Sequence, residues 1–324
     1  MRRREFITLL GGAAAWPFAA RAQQRAMPLV GVVSGFSEPQ MRAPLKAFRL
    51  ELNRLGWVEG SNLLLDAVTT VDYERMALEA GRLVSRNADV IVVMGTPGLT
   101  GVRRYTQTIP VVFTLVADPA QAGLIGSLAR PGSHATGFTN FEFSIGAKWL
   151  ELLRDLKPSL ANVTVLANPA NASANPIARA IESASQSVRI EVTTHFIRNE
   201  NDIEAAISNA GQRPNGGLIV LPDGLAVVQG DLIVKLADRH QIPAVYPFRL
   251  FVEKGGLLVY GIDVPEVYRQ AAGYVDRILR GAKPSDLPVQ APNKFELIIN
   301  LKTARALGLE LPPTLLASAD EVIE

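Results

Sequence analysis

The chain has 324 residues, of which 48% are hydrophobic and 20% charged, with a formal net charge of +2 and no cysteine. The lack of cysteine excludes disulfide bonds, thiolate metal sites, a cysteine nucleophile and a lipid-modified cysteine anchor. The length suits two domains that each bury a core, and the small net charge gives no electrostatic footprint for nucleic acid or anionic lipid.

The first 22 residues have the pattern of a secretory signal peptide. Three arginines at 2–4 precede a mostly apolar stretch over 6–20, and residues 20–22 (A-R-A) suit signal peptidase. The apolar stretch is too short to span a bilayer, which takes about 20 residues. The adjacent arginines favour a twin-arginine (Tat) signal over a generic secretory one. Loss of these residues takes four arginines and one glutamate, so the net charge moves from +2 to −1. The sequence predicts a freely diffusing periplasmic protein.

Beyond this segment, short β-branched strands alternate with amphipathic helices, which is the pattern of βαβ units and a parallel sheet. In one helix, for example, Leu45, Phe48 and Leu52 share a face. The strands are nearly continuous apolar runs, which indicates helices on both sheet faces. The first series has strand 29–33, helix 44–55, strand 62–66, helix 73–85, strand 90–94, helix 97–105 and strand 110–115.

The pattern breaks between residues 131 and 143, and a second series follows. Each series has about 120 residues, the size of an ordinary domain, so we predict two similar doubly wound lobes. The second series has helix 144–156, strand 163–167, helix 176–188, strand 191–196, helix 202–209, strand 217–221, helix 225–240, strands 244–246 and 257–260, helix 264–279, strands 287–289 and 295–300 and helix 302–307.

Motifs for catalysis are scarce. The chain has no G-x-S-x-G elbow, no G-x-G-x-x-G and no Walker A lysine. His134, His195 and His240 have no neighbouring ligand at metal spacing, so structural roles are favoured for all three. The sequence therefore predicts no catalytic residue, no metal and no cofactor, and it favours a binding protein over an enzyme.

Ligands of parallel sheets bind beyond the carboxyl ends of the strands. At one such end Thr96 is a fair N-cap and Pro97 suits the first helical position, so free amides there would receive an anion. At another, Asp118 offers a carboxylate to an ammonium group. Such residues also serve as plain caps and turns. Because they line one edge of both lobes, we favour a ligand cleft between the lobes.

Two stretches of the chain resemble a known family. They are residues 116–139, with V-A-D-P at 116–119, and the tail from Y-G-I-D at 260–263 to A-D-E-V-I at 319–323. Both resemble the ABC-transporter substrate-binding proteins that include tryptophan and tyrosine uptake components. The match covers essentially the whole mature chain.

The resemblance implies the type I periplasmic-binding-protein fold: α/β, with two doubly wound parallel-sheet lobes joined by three hinge crossovers. These crossovers would lie near 138–140, 261–263 and 287–290, with Gly137 and Gly261 as hinges. Lobe 1 would be 27–139 plus 264–285, and lobe 2 would be 141–260 plus 289–324.

The resemblance also implies a binding site. Thr96 would meet an anionic group, Asp118 or Asp223 a cationic one, and Phe36 with Tyr246 an apolar or aromatic part. Relatives that bind aromatic amino acids commonly carry asparagine after the acidic residue that matches 223, whereas this chain has glycine, so no aromatic amino acid is assigned. The full set of expected ligand contacts is Ser34, Phe36, Thr96, Asp118, Asn140, Asn168, Asp223, Tyr246 and Asp263.

The function that the resemblance implies is that of the solute-binding component of an ABC importer. A monomer would close around a small molecule, such as an amino acid or a related carboxylate, and dock onto a permease in the inner membrane. It would have no nucleic-acid partner and no lipid anchor. The alternatives are an exported enzyme on the same fold and a ligand-sensing partner of a membrane receptor.

Overall fold

The first series of predicted strands forms one parallel sheet in the computed structural model, which describes residues 27–292 and 294–324. The predicted signal peptide lies outside the described residues. The strands are β1 (Leu29–Ser34), β2 (Leu64–Thr69), β3 (Val90–Met94), β4 (Val111–Val116) and β5 (Ala135–Thr139). Their order across the sheet is β2-β1-β3-β4-β5. Every residue of β1, β3 and β4 is buried, as expected for strands that helices cover on both faces.

Three helices connect these strands, and a fourth returns to them from far along the chain. They are α1 (Glu38–Arg54), α2 (Tyr73–Ser85), α3 (Gly95–Val102) and the later α10 (Val264–Leu279). Helix α10 packs on α1, where the rings of Phe48 and Tyr268 meet edge to face at 6.3 Å between centroids. The indole nitrogen of Trp57 donates to Asp276 at 2.8 Å, which attaches the loop after α1 to the same helix. The chain thus completes this lobe only after building most of the other.

The second series forms a seven-stranded sheet. Its strands are β6 (Asn162–Ala167), β7 (Glu191–Phe196), β8 (Gly216–Val220), β9 (Ala244–Tyr246), β10 (Leu258–Gly261), β11 (Glu296–Asn300) and β12 (Glu321–Ile323). The order is β12-β11-β10-β9-β8-β6-β7, and all pairs are parallel except β10 with β11. The accompanying helices are α4 (Ile145–Leu156), α5 (Ala174–Val188), α6 (Glu200–Gly211), α7 (Gly224–Val228), α8 (Gly230–Arg239), α9 (Leu250–Glu253), α11 (Leu301–Ala306) and α12 (Pro313–Ser318).

The chain passes three times between the two sheets, which confirms the predicted fold class. It leaves β5 for α4, leaves β10 for α10, and returns through a short 3-10 helix (Pro284–Asp286) to β11. The third passage runs beside β5, because Thr139 N donates to Gln290 O and Gln290 N to Gly137 O, both at 2.9 Å.

The glycines predicted as hinges stand where two backbones approach closely. A Cβ on Gly137 would overlap the carbonyl oxygen of Phe113 in the neighbouring strand, and a Cβ on Gly261 would overlap that of Pro247. Gly137 also has φ +152°, which disfavours any other residue. Both positions therefore exclude side chains for reasons of packing, whatever they contribute to hinge motion.

Several predicted boundaries were wrong for local reasons. Helix α1 starts six residues earlier than predicted, because the side chain of Gln40 caps the backbone N–H of Ser37 at 3.1 Å. The helix predicted over 225–240 is two helices that break at Gln229. Strand β5 lies inside the segment read as a break in the pattern. No helix in the described part of the chain is long and apolar enough to cross a membrane.

Candidate functional site

A cavity lies between the two sheets, at the carboxyl ends of their parallel strands. The first lobe contributes Gly35, Phe36, Tyr73, Met76, Met94, Gly95, Thr96, Pro97, Leu115 and Ala117. Asn140 comes from the first passage between the lobes, and the second lobe contributes Asn171, Ser173, Ile177, Pro222, Asp223, Gly224 and Phe248. The wall is mostly apolar with a few polar groups, which is typical of small-molecule sites.

Asp223 is the one formally charged side chain among the described residues that line this cavity. It follows β8 and caps α7, where its Oδ1 accepts from Leu225 N at 2.9 Å. Asn168 Nδ2 donates to the same oxygen at 3.0 Å, and Asn171 Nδ2 donates to Oδ2 at 3.3 Å. The residue is only 6% exposed, so these donors replace the water that a buried carboxylate has lost.

A fourth donor reaches Asp223 from the opposite lobe. Tyr73 is the first residue of α2, after the N-cap Asp72, and its hydroxyl donates to Asp223 Oδ2. Burial, together with the negative charge of Asp223, raises the pKa of the Tyr73 hydroxyl far above its ordinary value. The phenol therefore stays protonated and remains a hydrogen-bond donor.

The first lobe differs from the second in having a buried polar group, on Thr96, that is not hydrogen-bonded to other described residues. Thr96 is 4% exposed, and its hydroxyl oxygen has no hydrogen-bond partner among the described residues. It is the second residue of α3 and not the predicted N-cap, because the φ of +74° at Gly95 turns the chain into the helix one residue after β3. The helix start supplies free backbone N–H groups beside the hydroxyl. The hydroxyl of Thr96 is therefore suited to form a hydrogen bond with an atom of a ligand.

Two phenylalanines form an apolar part of the wall. Phe36 follows β1 and Phe248 follows β9, and their rings meet edge to face across the lobes at 5.5 Å between centroids. The side chains of Met76 and Met94 line the cavity on the first lobe. This part of the site offers van der Waals and aromatic contacts to an apolar group.

Four of the nine expected ligand contacts line this cavity: Phe36, Thr96, Asn140 and Asp223. Asn168 does not, although it supports Asp223 directly. Asp118 also lies away from the lining. Its carboxylate caps the next turn by accepting from Gln121 N at 3.2 Å, so its position at a strand end reflects local turn chemistry.

The other three expected contacts are also turned away from the cavity. Ser34 is fully buried, and its hydroxyl donates to the sulfur of Met94 at 3.1 Å. Tyr246 is 1% exposed and stacks on Phe251 within the second lobe, since the strand points its side chain into the helix layer. Asp263 caps α10 by accepting from Glu266 N at 3.1 Å.

The sequence prediction missed most residues of the lining, among them Tyr73, Asn171, Ser173 and Phe248. The strand-end rule that selected the others applies to each of these. Tyr73 follows β2, Asn171 and Ser173 follow β6, and Phe248 lies two residues beyond β9. Ser173 donates to Asn171 Oδ1 at 2.8 Å, so the polar groups of this loop are joined to one another.

The arrangement can hold a small molecule by hydrogen bonds and apolar contacts. No group of three or more histidine, aspartate or glutamate side chains within residues 27–292 and 294–324 is placed to bind a metal ion. The described lining contains no histidine, lysine or arginine. The fixed charge of the site is therefore negative.

Comparison with known proteins agrees with this architecture. The chain is 27% identical to the tyrosine-binding protein of Clostridioides difficile over 282 residues, which are 87% of this chain and 81% of the relative. A solved conserved domain protein of Vibrio cholerae is 27% identical and has a TM-score of 0.85, covering 92% of this chain and all of that one. An ABC domain from Streptococcus pneumonia, solved with L-Trp, is 23% identical with a TM-score of 0.84 at the same coverage.

The structure from Streptococcus pneumonia, at 23% identity, supports the fold alone. The family model "ABC transporter substrate binding protein" matches residues 29–323, which is nearly all of the described chain. The two-sheet architecture, the passages between lobes and the cavity at the strand ends are consistent with that match. The chain belongs to the ABC transporter substrate-binding protein family.

Proposed function

We propose that this protein is the extracytoplasmic solute receptor of an ABC importer. It binds one small molecule in the interlobe cavity and delivers it to a permease in the inner membrane. The observation that carries the proposal is the hydroxyl of Thr96, which has no partner among the described residues and lies buried in a cavity that both lobes line. A buried polar group without a partner costs free energy, and a ligand atom would remove that cost.

The charges of the site narrow the class of ligand. Asp223 makes the wall negative, so a ligand with a positive group is favoured over one with a net negative charge. The hydroxyl of Thr96 and the start of α3 suit a carboxylate. We infer a zwitterion such as an α-amino acid, with its apolar part against Phe36 and Phe248. The similarity to a tyrosine-binding protein supports an amino acid without fixing its side chain.

We place the protein in the periplasm, exported by the predicted Tat signal and monomeric, with motion of the lobes centred on the passages at Gly137 and Gly261. Lobe 1 is taken as 27–139 plus 264–285 and lobe 2 as 141–260 plus 289–324. The ligand contacts are Phe36, Thr96, Asn140 and Asp223, joined by Ser173.

Calorimetric titration of the purified chain with a panel of L-amino acids, including L-tyrosine and L-tryptophan, tests the proposal. We expect one ligand to bind at a single site, and Asp223→Asn to weaken it by about tenfold or more, because a charged hydrogen-bonding group is lost. Asp118→Asn is the matched control and should leave affinity unchanged, since Asp118 does not line the cavity.

Failure of every amino acid to bind would remove the ligand class, and equal effects of both substitutions would remove the role of Asp223. Mass spectrometry of the same mixtures distinguishes the enzyme alternative. A receptor returns its ligand unchanged, whereas an exported enzyme would convert it.

A further inference from the structure

The two lobes touch each other at the edge of the cavity through two pairs of residues. The hydroxyl of Tyr73 in the first lobe donates to Asp223 in the second. Beside this bond, Gly224 lies against the carbonyl oxygen of Gly35, so closely that a Cβ on Gly224 would overlap that oxygen. Both contacts join elements that belong to different sheets, so both depend on how the lobes are placed relative to each other.

Hydrogen bonds within the second lobe hold the carboxylate of Asp223 in position for this contact. Three of its donors, Asn168, Asn171 and the N–H of Leu225, come from the same lobe and do not depend on closure. Among the described residues, the hydroxyl of Tyr73 is the one donor to Asp223 that comes from the other lobe.

The position of Tyr73 is set by the first lobe. The residue begins α2, where Asp72 caps the helix by accepting from Arg75 N at 3.0 Å. The start of α2 places Tyr73 on the wall of the cavity. A hydrogen bond to an ionised carboxylate is of the stronger kind.

We propose that Tyr73 is a closing residue, whose bond to Asp223 stabilises the closed arrangement of the lobes independently of the ligand. Both partners belong to the protein, so the bond contributes to closure in the free receptor as well as in the complex. The glycine at 224 is required for the same approach, since the obstacle to a side chain is a backbone oxygen that cannot rotate away. The free receptor therefore samples the closed form, and the ligand has to supply only the remaining shift in population.

The role of a closing residue goes beyond the proposed function and can be tested without a ligand. The chain has no cysteine, so two introduced cysteines are the only sites for spin labels. Leu78→Cys on α2 and Glu204→Cys on α6 are suitable, since both positions are exposed and lie on different lobes. Pulsed electron resonance then measures the distribution of distances between the lobes in the free protein.

We expect the free protein to show a closed population, and Tyr73→Phe to lower the ratio of closed to open molecules by about tenfold, the effect of losing one charge-assisted hydrogen bond. Gly224→Ala should lower the same ratio at least as much through steric overlap. Tyr105→Phe is the matched control, because this exposed tyrosine lies within the first lobe, against Gly81.

A free protein with no closed population would overturn the proposal, as would a Tyr73→Phe ratio within twofold of the control. If Tyr73→Phe did not fold, as judged by circular dichroism, the Gly224→Ala distribution would decide in the same way. Calorimetry with amino acids remains a separate readout, so a receptor that binds its ligand while Tyr73→Phe leaves closure unchanged would refute only the closing role.

Discussion

The two lobes line the same cavity, but the polar groups that they contribute differ in their hydrogen bonding. On the second lobe, Asp223, Asn171 and Ser173 already satisfy one another by hydrogen bonds. On the first lobe, apolar side chains and backbone surround the hydroxyl of Thr96, which has no partner among the described residues. The polar groups of the second lobe are therefore held in place before any ligand arrives, whereas the first lobe presents a hydroxyl that a ligand would have to satisfy.

This difference separates two sources of binding energy. Preorganised polar groups cost stability when they are removed, because their partners are then left buried and unpaired. An unpartnered group costs stability while it is present and repays that cost only in a complex. Substitutions on the two walls should therefore move stability and affinity in different ways.

The largest expected effect is on stability. It comes from the two glycines near the passages between the lobes, one in each lobe, which are alike in excluding a side chain. Gly137→Ala and Gly261→Ala each place a Cβ into a backbone carbonyl, so we expect a loss of about 3 kcal/mol or more in the free energy of unfolding. Denaturant titration measures it. Gly273→Ala in α10 is the control, since its Cβ would meet no atom within 4 Å, and the change should stabilise the helix by about 0.5–1 kcal/mol. Equal stability of all three variants would contradict the packing role.

On the second lobe, Asn171→Ala should destabilise the fold by about 1–3 kcal/mol. Its amide donates to Pro222 O and Asp223, and its oxygen accepts from the hydroxyl of Ser173, so several buried groups lose a partner together. The control is Asn201→Ala, at an exposed position of α6. A loss no larger than that of the control in thermal or chemical unfolding would show that this wall is not preorganised.

On the first lobe, Thr96→Val should act in the opposite sense. Replacing an unpartnered buried hydroxyl by a methyl group should raise the free energy of unfolding by about 1 kcal/mol while weakening ligand binding by about tenfold. Thr100→Val, at an exposed position of the same helix, controls for helix propensity. The two walls would not differ if Thr96→Val cost stability as Asn171→Ala does.

The smallest expected effect is a pH dependence of stability. It comes from His134, which lies in the first lobe outside the cavity. Burial and the nearby charge of Arg103 lower the pKa of His134. The unfolded chain, with a histidine pKa of about 6.5, then binds the proton more readily, so stability falls as pH drops through 6.5 towards the folded pKa and changes no further below it. We expect a small loss of stability over this range. His134→Asn should remove this part of the pH dependence in melts between pH 7.5 and 5.5, and an unchanged slope would contradict it.

The sequence could predict the fold well, because its signals are periodic and local. Helices α2 and α10 and strands β3, β7 and β9 lie where the apolar pattern places them. Strand β5 was missed because glycine and threonine interrupt its apolar run, and its glycine is there to admit the neighbouring backbone. Packing between strands that are distant in sequence leaves no periodic signal.

The site could be predicted only in part. A strand end locates a residue at the correct edge of the sheet but does not fix the direction of its side chain. Asp118 and Asp223 both follow strands and both cap the next turn, yet of the two only Asp223 lines the cavity. Tyr73 also follows a strand, but its bond to a residue 150 positions away leaves no local signal that would have singled it out.

The passage of the chain back to the first sheet through α10 and then to β11 has a consequence for how the molecule can be divided. Neither half is a continuous stretch of polypeptide, so a cut at any single point removes a strand or a helix from one of them. A fragment ending before residue 264 would lack both the helix that covers α1 and the two outermost strands of the larger sheet. A truncated or divided version of this protein must therefore keep the two halves together as one unit.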